Sequence, residues 1–198
     1  MLFRSLCSDL EGTLAPEIWQ EIAKEFSIDE LLATTRDFPE FDDLMIHRMN
    51  VLKQKKIKFS DIKKILNEIE PFEGAASFLQ SIKNSYQTVI VSDTFYELSG
   101  AVIQKLGNPL LLCHHLIIEN DQIVGFKKRQ EEPKRNVVKA FKSMNFECFC
   151  IGDSYNDIQM IRESDGAFIF APKEILKANP DIISFTSYKD LKQFLLNE

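Results

Sequence analysis

The chain has 198 residues, 44% of them hydrophobic and 27% charged, which suits one globular domain with a substantial core and room for a small inserted subdomain. Its 24 Lys and Arg against 30 Asp and Glu give a formal net charge of -6, which disfavours nonspecific binding to nucleic acid or to an anionic membrane. No apolar stretch is long enough to span a membrane, so we expect a cytoplasmic protein that holds any anionic ligand by local charges.

The first predicted strand, residues 2–8, ends in a pair of acidic residues. Asp9 and Glu11 lie two residues apart where the chain leaves the sheet, and alternation along an extended segment aims both to one side. A carboxylate there can attack phosphorus, and a second carboxyl group can protonate the leaving oxygen and later deprotonate water. Asp9 is therefore the candidate nucleophile and Glu11 the candidate acid and base. The alternative is a polar strand end that makes a turn.

Helical patterns without a convincing strand fill residues 16–70. Apolar residues recur at three- and four-residue intervals in three stretches, at residues 18–26, 44–52 and 62–69, before Pro71. We expect a small helical cap of residues 16–70 inserted into a core domain of residues 1–15 and 71–198.

Strands and helices alternate in the remainder of the chain. The predicted strands are residues 88–91, 146–151 and 166–170, and the predicted helices are residues 73–83, 96–106, 136–144 and 157–163. A hairpin is predicted from residues 110–118 and 123–126 around Asn120 and Asp121. This pattern predicts an α/β fold with a Rossmann-like parallel sheet, helices on both faces, and ligands at the carboxyl ends of the strands.

Two further motifs follow predicted strands or open predicted helices. Ser92 and Asp93 follow the second strand, where a hydroxyl group and turn amides can hold phosphoryl oxygens, although the same residues are ordinary helix-capping chemistry. Lys134 lies at a helix start, where a cation gains nothing from the helix dipole. Beside the site it would neutralise phosphate charge, and the alternative is a solvated surface lysine.

The segment of residues 152–157 (GDSYND) follows the strand at residues 146–151 and is the more specific signal. Magnesium prefers oxygen ligands and keeps several waters, so one or two carboxylates and the phosphate suffice to place it. Asp153 is the candidate Mg²⁺ ligand, Asp157 can support it or hold Lys134, and Asn156 can hydrogen-bond the ligand. The alternative is that these residues only cap the next helix.

Taken together, these motifs resemble the haloacid dehalogenase superfamily. The chain is most similar to its phosphoserine phosphatase branch, and within it to the bifunctional phosphoserine phosphatase/homoserine phosphotransferase type. The segments that carry the likeness are residues 9–13 (DLEGT), 16–19 (PEIW), 33–37 (ATTRD), 92–97 (SDTFYE) and 152–157 (GDSYND).

The resemblance implies Mg²⁺ held by Asp9, the main-chain carbonyl of Glu11, and Asp153. It implies that Ser92 and Lys134 hold the phosphate.

It also implies that Glu17 meets the amino group of the substrate and Arg48 its carboxylate, which suits a zwitterionic amino acid. Glu17 could instead be a first-turn helix acid and Arg48 a solvated charge.

Two departures from the commoner phosphoserine phosphatase pattern keep both hydrolysis and transfer to homoserine open. Glu11 stands where that pattern has Asp, and Ser92 is followed by Asp93 and Thr94 instead of glycines. The alternatives are a phosphatase of the same fold for another small phosphate ester and a non-catalytic binding module. The expected partner is a small-molecule substrate, with no nucleic acid and no membrane, and a monomer and a homodimer are equally open. Four cysteines and three histidines are predicted to be structural.

Overall fold

A seven-stranded sheet forms the centre of the computed structural model, which describes residues 3–196. The strands are β1 (Phe3–Ser8), β2 (Gln87–Phe95), β3 (Leu110–Glu119), β4 (Gln122–Lys127), β5 (Phe146–Gly152), β6 (Ala167–Ile169) and β7 (Ile183–Phe185). Their order across the sheet is β4-β3-β2-β1-β5-β6-β7. Neighbouring strands are parallel except for the antiparallel pair β3 and β4 at one edge. The predicted α/β class is therefore confirmed.

Helices cover both faces of this sheet. They are α1 (Ile18–Phe26), α2 (Phe41–Gln54), α3 (Phe59–Glu68), α4 (Ala75–Ile82), α5 (Tyr96–Lys105), α6 (Pro133–Ser143), α7 (Ile158–Arg162), α8 (Lys173–Ala178) and α9 (Tyr188–Leu196), with short 3-10 helices at Asp29–Leu32 and Tyr155–Asp157. Adjacent residues of β1 belong to different cores, because Leu6 packs in the cluster under α1, α4 and α9 and Cys7 in the cluster under α6, α7 and α8. Both faces of β1 are thus covered from Ser5 to Ser8.

The segment between β1 and β2 is helical, as its periodicity predicts. We call residues 16–70 the helical insert; it contains α1, α2 and α3. Ile18, Ile22 and Ile62 are fully buried and join the same core cluster as the sheet residue Leu6. The division of the chain into a core domain and a cap domain stays a prediction.

The hairpin is confirmed, and its turn explains how it forms without glycine. Asn120 and Asp121 both adopt positive φ, 49° and 63°, between the antiparallel strands β3 and β4. Asn and Asp tolerate this left-handed conformation better than other residues with a side chain. The turn therefore has the backbone twist that two-residue hairpins require.

Several boundaries differ from those predicted. Helix α6 begins at Pro133 and not at Asn136, because proline is preorganised for the first helical turn. The helix predicted at residues 157–163 starts as a 3-10 helix and is α-helical only from Ile158. The strand predicted at residues 166–170 is limited to Ala167–Ile169, and β7, α8 and α9 were not predicted. The predicted first strand includes residue 2, which lies outside the described residues.

All four cysteines are buried free thiols, as the sequence predicts. Within residues 3–196, each helix is too short or too polar to cross a membrane.

Candidate active site

The candidate site lies where the central strand leaves the sheet. Ser8, the last residue of β1, is level with Ile90 of β2 and Ile151 of β5. The next backbone amide, that of Asp9, donates to the carbonyl of Ile151 at 3.0 Å. The carboxyl-terminal parts of the three parallel strands lie at the same end of the sheet, so Asp9 after β1 and Asp153 after β5 meet Ser92 there. Strand β2 continues to Phe95, so the prediction that Ser92 and Asp93 follow a strand ending at residue 91 is wrong, and both lie within β2.

Lys134, in the first turn of α6, has its ammonium group at the centre of the site. Its Nζ lies 2.8 Å from Asp9 Oδ2, 2.7 Å from Asp157 Oδ1 and 3.8 Å from Asp93 Oδ2, and the residue is 4% exposed. Burial alone would lower the pKa of this group, but the carboxylates of Asp157, Asp9 and Asp93 outweigh burial and raise the pKa well above its usual range. Lys134 is therefore a buried cation, and the alternative of a solvated surface lysine is wrong.

Asp153 lies against a glycine of the loop that follows β1. Gly12 has a φ of +75°, and a Cβ atom built on it would lie 2.3 Å from Asp153 Oδ2. Glycine is thus required both for the backbone conformation and for the approach of this carboxylate. The hydroxyl group of Thr13 donates to Asp153 Oδ1 at 3.1 Å.

The carboxylates of this pocket fit a magnesium ion. One oxygen each of Asp9, Asp153 and Asp157 lie within 4.8 Å of one another. Burial and, next, the charge of Asp157 raise the pKa of Asp153 to about 7, so the cluster is short of positive charge despite Lys134. A hard divalent cation with oxygen ligands is the group that this donor set suits.

Glu11 is held by a hydroxyl group from β2. Thr94 Oγ1 donates to Glu11 Oε1 at 3.2 Å. Burial and, next, the nearby charge of Glu17 raise the pKa of Glu11 to about 8. A carboxyl group with this pKa carries its proton at neutral pH, which is the state that a general acid needs.

Ser92, Asp93 and Thr94 lie on an irregular part of β2. Val91 pairs with Leu112 and Phe95 with His114, so four steps along β2 match two steps along β3. Such bulges redirect side chains and occur next to active sites. Helix α5 begins after Phe95 with no side-chain cap bond from the described residues, so the helix-capping alternative for Ser92 and Asp93 is wrong.

The segment of residues 152–157 both caps a 3-10 helix and positions charged groups of the site. Ser154 and Asp157 form a reciprocal capping box, as the capping alternative predicts. Asp157 Oδ2 accepts the backbone amides of Asp153 and Ser154 at 3.1 and 3.0 Å, while Asp157 Oδ1 accepts from Lys134. Asn156 is exposed, and its Nδ2 donates to Asp93 Oδ2 at 3.1 Å.

The helical insert brings an arginine toward the same place. Arg48 of α2 donates from Nη2 to the carbonyl of Ala33 at 2.9 Å, and its guanidinium lies 4.8 Å from the ring centroid of Trp19. Its buried Nε has no hydrogen-bond partner among the described residues.

Charge links Arg48 to the acidic residues of the site. Burial lowers the pKa of Arg48 to about 10, against the opposing charges of Glu11 and Glu17. Arg48 is thus largely buried, and the alternative that it is a solvated charge is wrong. Glu17 is an exposed residue that immediately precedes α1.

Several contacts in the site were not predicted from sequence. The hydroxyl groups of Thr13 and Thr94 bind the carboxylates of Asp153 and Glu11, and Trp19 stacks on Arg48. Thr13 and Thr94 lie inside the motifs at residues 9–13 and 92–97. Their position beside acidic residues of these motifs could have identified them as residues of the site. Trp19 lies inside the segment of residues 16–19, but its contact with Arg48, 29 positions further along the chain, gives no signal in the sequence.

A separate cleft of about 550 Å³ lies at the other end of the strands, where β1 and β5 begin. Arg4, Tyr86, Phe146 and Phe194 line it, and none of the predicted site residues does. In a parallel sheet, chemistry takes place at the carboxyl ends of the strands, so the acidic pocket and not this cleft is the candidate active site.

Comparison with known proteins identifies the class that this fold and site define. Residues 3–165 match the family of haloacid dehalogenase-like hydrolases. The chain belongs to this family and is therefore a hydrolase.

Curated relatives cover nearly the whole chain. It is 43% identical over 192 residues to the phosphoserine phosphatase ThrH of Pseudomonas aeruginosa, which covers 96% of this chain and 94% of that protein. It is 42% identical over 189 residues to a phosphoserine phosphatase of Pseudomonas syringae pv. tomato, covering 94% of this chain and 80% of that one.

Solved structures share the fold. A phospho-aspartyl intermediate analogue of phosphoserine phosphatase matches with a TM-score of 0.81 at 23% identity, over 98% of this chain and 99% of that chain. A substrate-bound phosphoserine phosphatase complex matches with a TM-score of 0.80 at 22% identity, over the same shares.

Proposed function

We propose that this hydrolase is a Mg²⁺-dependent phosphoserine phosphatase that works through an aspartyl-phosphate on Asp9. The observation that carries the proposal is the pairing of Asp9 with the buried cation of Lys134, 2.8 Å away, in a pocket that also contains Asp153 and Asp157. The two curated relatives named as phosphoserine phosphatases, at 43% and 42% identity, support the choice of substrate.

In the first half of the reaction, a carboxylate oxygen of Asp9 attacks the phosphorus of phosphoserine. The bond between phosphorus and the serine oxygen breaks, and the electron pair goes to that oxygen. Glu11, protonated because its pKa is raised to about 8, gives its proton to the departing oxygen. Lys134 and the hydroxyl group of Ser92 stabilise the negative charge on the phosphoryl oxygens.

In the second half, Glu11 is the base. It takes a proton from water, which attacks the phosphorus of the aspartyl-phosphate and frees Asp9 and inorganic phosphate. Asp9, Asp153 and the main-chain carbonyl of Glu11 would hold Mg²⁺, which supplies charge neutralisation for the phosphoryl group when it is bound. Asp157 keeps Lys134 in position through its 2.7 Å ion pair.

The amino-acid part of the substrate is assigned to the helical insert. Arg48 would bind the carboxylate of serine, since its Nε is buried without a hydrogen-bond partner among the described residues. Glu17 would meet the amino group. Asn156 and the backbone amides after Ser92 would complete the phosphate site.

Transfer of the phosphoryl group to homoserine is the second reaction that we propose. Homoserine differs from serine by one methylene group, which a binding pocket distinguishes by only about 1 to 3 kcal/mol. Glu11 could remove a proton from its hydroxyl group as it does from water, to give phosphohomoserine. The relative named ThrH, at 43% identity, supports including homoserine beside water as an acceptor of the phosphoryl group.

The reaction is tested with a panel of phosphate esters. Purified enzyme with Mg²⁺ is incubated with phosphoserine, sugar phosphates and nucleotides, and phosphate release is measured, with and without homoserine. We expect phosphoserine to be preferred and Asp9→Asn to be inactive, and a new phosphorylated product with homoserine would support transfer. Turnover by Asp9→Asn, or preference for a sugar or nucleotide, would contradict the proposal.

The carboxylate contact is tested separately. Arg48→Ala is expected to raise the KM for phosphoserine about 10- to 100-fold, the size of a hydrogen bond to a charged group, and to leave an aryl phosphate without a carboxylate unaffected. Arg36, an exposed arginine of the same insert, provides the control Arg36→Ala. Equal losses for both substrates would mean that Arg48 does not recognise the amino-acid carboxylate.

A further inference from the structure

A buried histidine lies directly opposite the bulge that carries the phosphate-site residues. His114 of β3 pairs in register with Phe95, at the end of the bulge in β2, and is 2% exposed. Its ring packs against Phe41 and Phe95, with centroids 5.4 and 6.0 Å away. The ring is thus fixed between the helical insert and the sheet.

Hydrogen bonding determines which ring nitrogen of His114 carries the proton. The backbone amide of Arg129 donates to Nδ1 at 3.2 Å, so Nδ1 is the acceptor and the proton of the neutral ring is on Nε2. Burial lowers the pKa of His114 and favours this neutral form. Nε2 lies 3.7 Å from Asp93 Oδ1 and therefore presents an N–H group toward that carboxylate.

Asp93 needs such a partner because of where it lies. Its Oδ2 accepts from Asn156 at 3.1 Å and is 3.8 Å from Lys134 Nζ. A carboxylate that turned further toward Lys134 would compete with the phosphoryl group for the ammonium charge and would repel the phosphate. The other oxygen of Asp93, Oδ1, is the one that faces His114.

We propose that His114 is a positioning residue that holds the carboxylate of Asp93 away from Lys134 and so keeps the phosphate site open. This inference rests on the proposed function, because it assumes that the phosphoryl group binds beside Lys134. The sequence assigns no role to His114, and its part in the site follows from the strand register and the tautomer. Its effect on phosphate passes entirely through Asp93.

The test is a double-mutant cycle read out by phosphate binding. His114→Phe keeps the aromatic packing and removes the N–H group, and Asp93→Asn removes the competing charge at the same size. The dissociation constant of inorganic phosphate is measured by titration calorimetry with Mg²⁺ present. We expect His114→Phe to weaken phosphate binding about tenfold, which lies within the range of coupling energies for residues in contact. In the Asp93→Asn background the same change should alter binding by less than about twofold, because a residue that acts only through the charge of Asp93 has no charge left to hold in place.

Two further variants separate positioning from packing. His114→Gln keeps an N–H donor and should retain most of the phosphate affinity, which also keeps the test usable if His114→Phe does not fold. His115→Phe is the matched control, since His115 is the next residue of β3, is exposed, and pairs with Glu97 at 3.0 Å outside the site. It should bind phosphate as the wild type does.

The outcomes are distinct from those of the proposed function. If His114→Phe costs the same affinity in the wild-type and Asp93→Asn backgrounds, or costs none in the wild type, the positioning role is overturned. Wild-type enzyme that binds phosphate and hydrolyses an aryl phosphate but not phosphoserine would overturn the proposed substrate, and the cycle would still test His114.

Discussion

Gly12 and Gly152 let two loops of the site approach more closely than any side chain allows. A Cβ atom on Gly12 would lie 2.3 Å from Asp153 Oδ2, and one on Gly152 would lie 2.3 Å from Asp157 Cγ. Both distances are far below van der Waals contact, so either substitution must displace a carboxylate. The glycines therefore allow Asp153 and Asp157 to occupy their observed positions.

Gly12→Ala should reduce turnover about 10²-fold, because displacing a reacting group by about 1 Å has this cost. The positive φ of +75° adds backbone strain to the displacement. Steady-state kinetics and Mg²⁺ titration measure the loss.

Gly100→Ala is the matched control for this change. Gly100 is an exposed residue of α5 where an added Cβ meets nothing within 4 Å, so alanine should leave activity unchanged and favour the helix. Full activity in Gly12→Ala would mean that Asp153 does not need its observed position.

At the level of residues, the chemistry of the motifs predicts which side chains lie together, although the role of each stays a prediction. Asp9, Lys134 and Asp153 were assigned to one site because each follows a strand or opens a helix, and parallel strands end at one edge. The hydrogen bond from Thr94 to Glu11 and the approach of His114 to Asp93 could not be predicted in the same way. They depend on the register between β2 and β3, which shifts within a bulge.

Among the elements, α3 is tied to the rest of the chain at both ends. Asp121, in the turn between β3 and β4, accepts from the amide and hydroxyl groups of Ser60 at 2.8 and 2.7 Å. Lys105 of α5 donates to the carbonyls of Asn67 and Ile69 at 2.8 and 2.9 Å. Helix α2, which carries Arg48, is held by ion pairs instead: Asp42 in its first turn lies 3.1 Å from Lys128, and Lys55, which follows the helix, lies 3.1 Å from Glu30.

Asp121→Asn should lower the melting temperature at neutral pH. Bonds from the Ser60 side chain are the first cause that lowers the pKa of Asp121 below its usual range. A group with a lower pKa in the folded state stabilises the fold above its unfolded pKa of about 4, and this stabilisation is lost as the pH falls through the folded pKa. The difference in melting temperature should therefore be present at neutral pH and vanish in strong acid.

Asparagine is the matched replacement at position 121 because it also tolerates the positive φ of 63°. Asp61→Asn removes a first-turn charge from the same helix but leaves both bonds from Ser60 intact, so it should lower the melting temperature less. A difference for Asp121→Asn that does not change with pH would rule out an ionic cap.

Helices and strands were predicted best where the regular spacing of apolar residues continues over many positions. The hairpin and the three helices of the insert follow from their apolar spacing, but α6 starts earlier than predicted because Pro133 can occupy the first turn. The region after Phe170 contains β7, of only three residues, and its exposed Ile183 and Ser184 give no buried pattern to recognise. Short edge strands are fixed by their neighbour, here β6, and not by their own sequence.

For the molecule as a whole, the sheet order explains why one site forms. Strand β1 lies between β2 and β5, so residues at the carboxyl ends of these three strands lie close together although they are far apart in sequence. Alternation of strands and helices predicts that such an edge exists, but not that β1 is central. The arrangement produces a pocket in which buried carboxylates outnumber the cation Lys134, and this charge imbalance destabilises the fold.

Mg²⁺ should therefore stabilise the whole fold. Beyond saturation, each tenfold rise in Mg²⁺ is expected to add about 1.4 kcal/mol to the free energy of unfolding, as mass action requires for one site. Melting temperatures measured over a Mg²⁺ series test this. Asp153→Asn should remove the dependence, and Asp165→Asn, which alters an exposed acid outside the pocket, should keep it. A magnesium effect that survives in Asp153→Asn would place the ion elsewhere.

If Asp9 accepts the phosphoryl group from phosphoserine, that group can be trapped on it. Enzyme turning over phosphoserine with Mg²⁺ is quenched rapidly in acid, digested, and analysed by mass spectrometry. We expect one added phosphoryl group on the peptide that contains Asp9, labile in base, and absent from Asp9→Asn. Turnover with no phosphorylated peptide at any quench time, or with the phosphoryl group on another residue, would contradict this proposal.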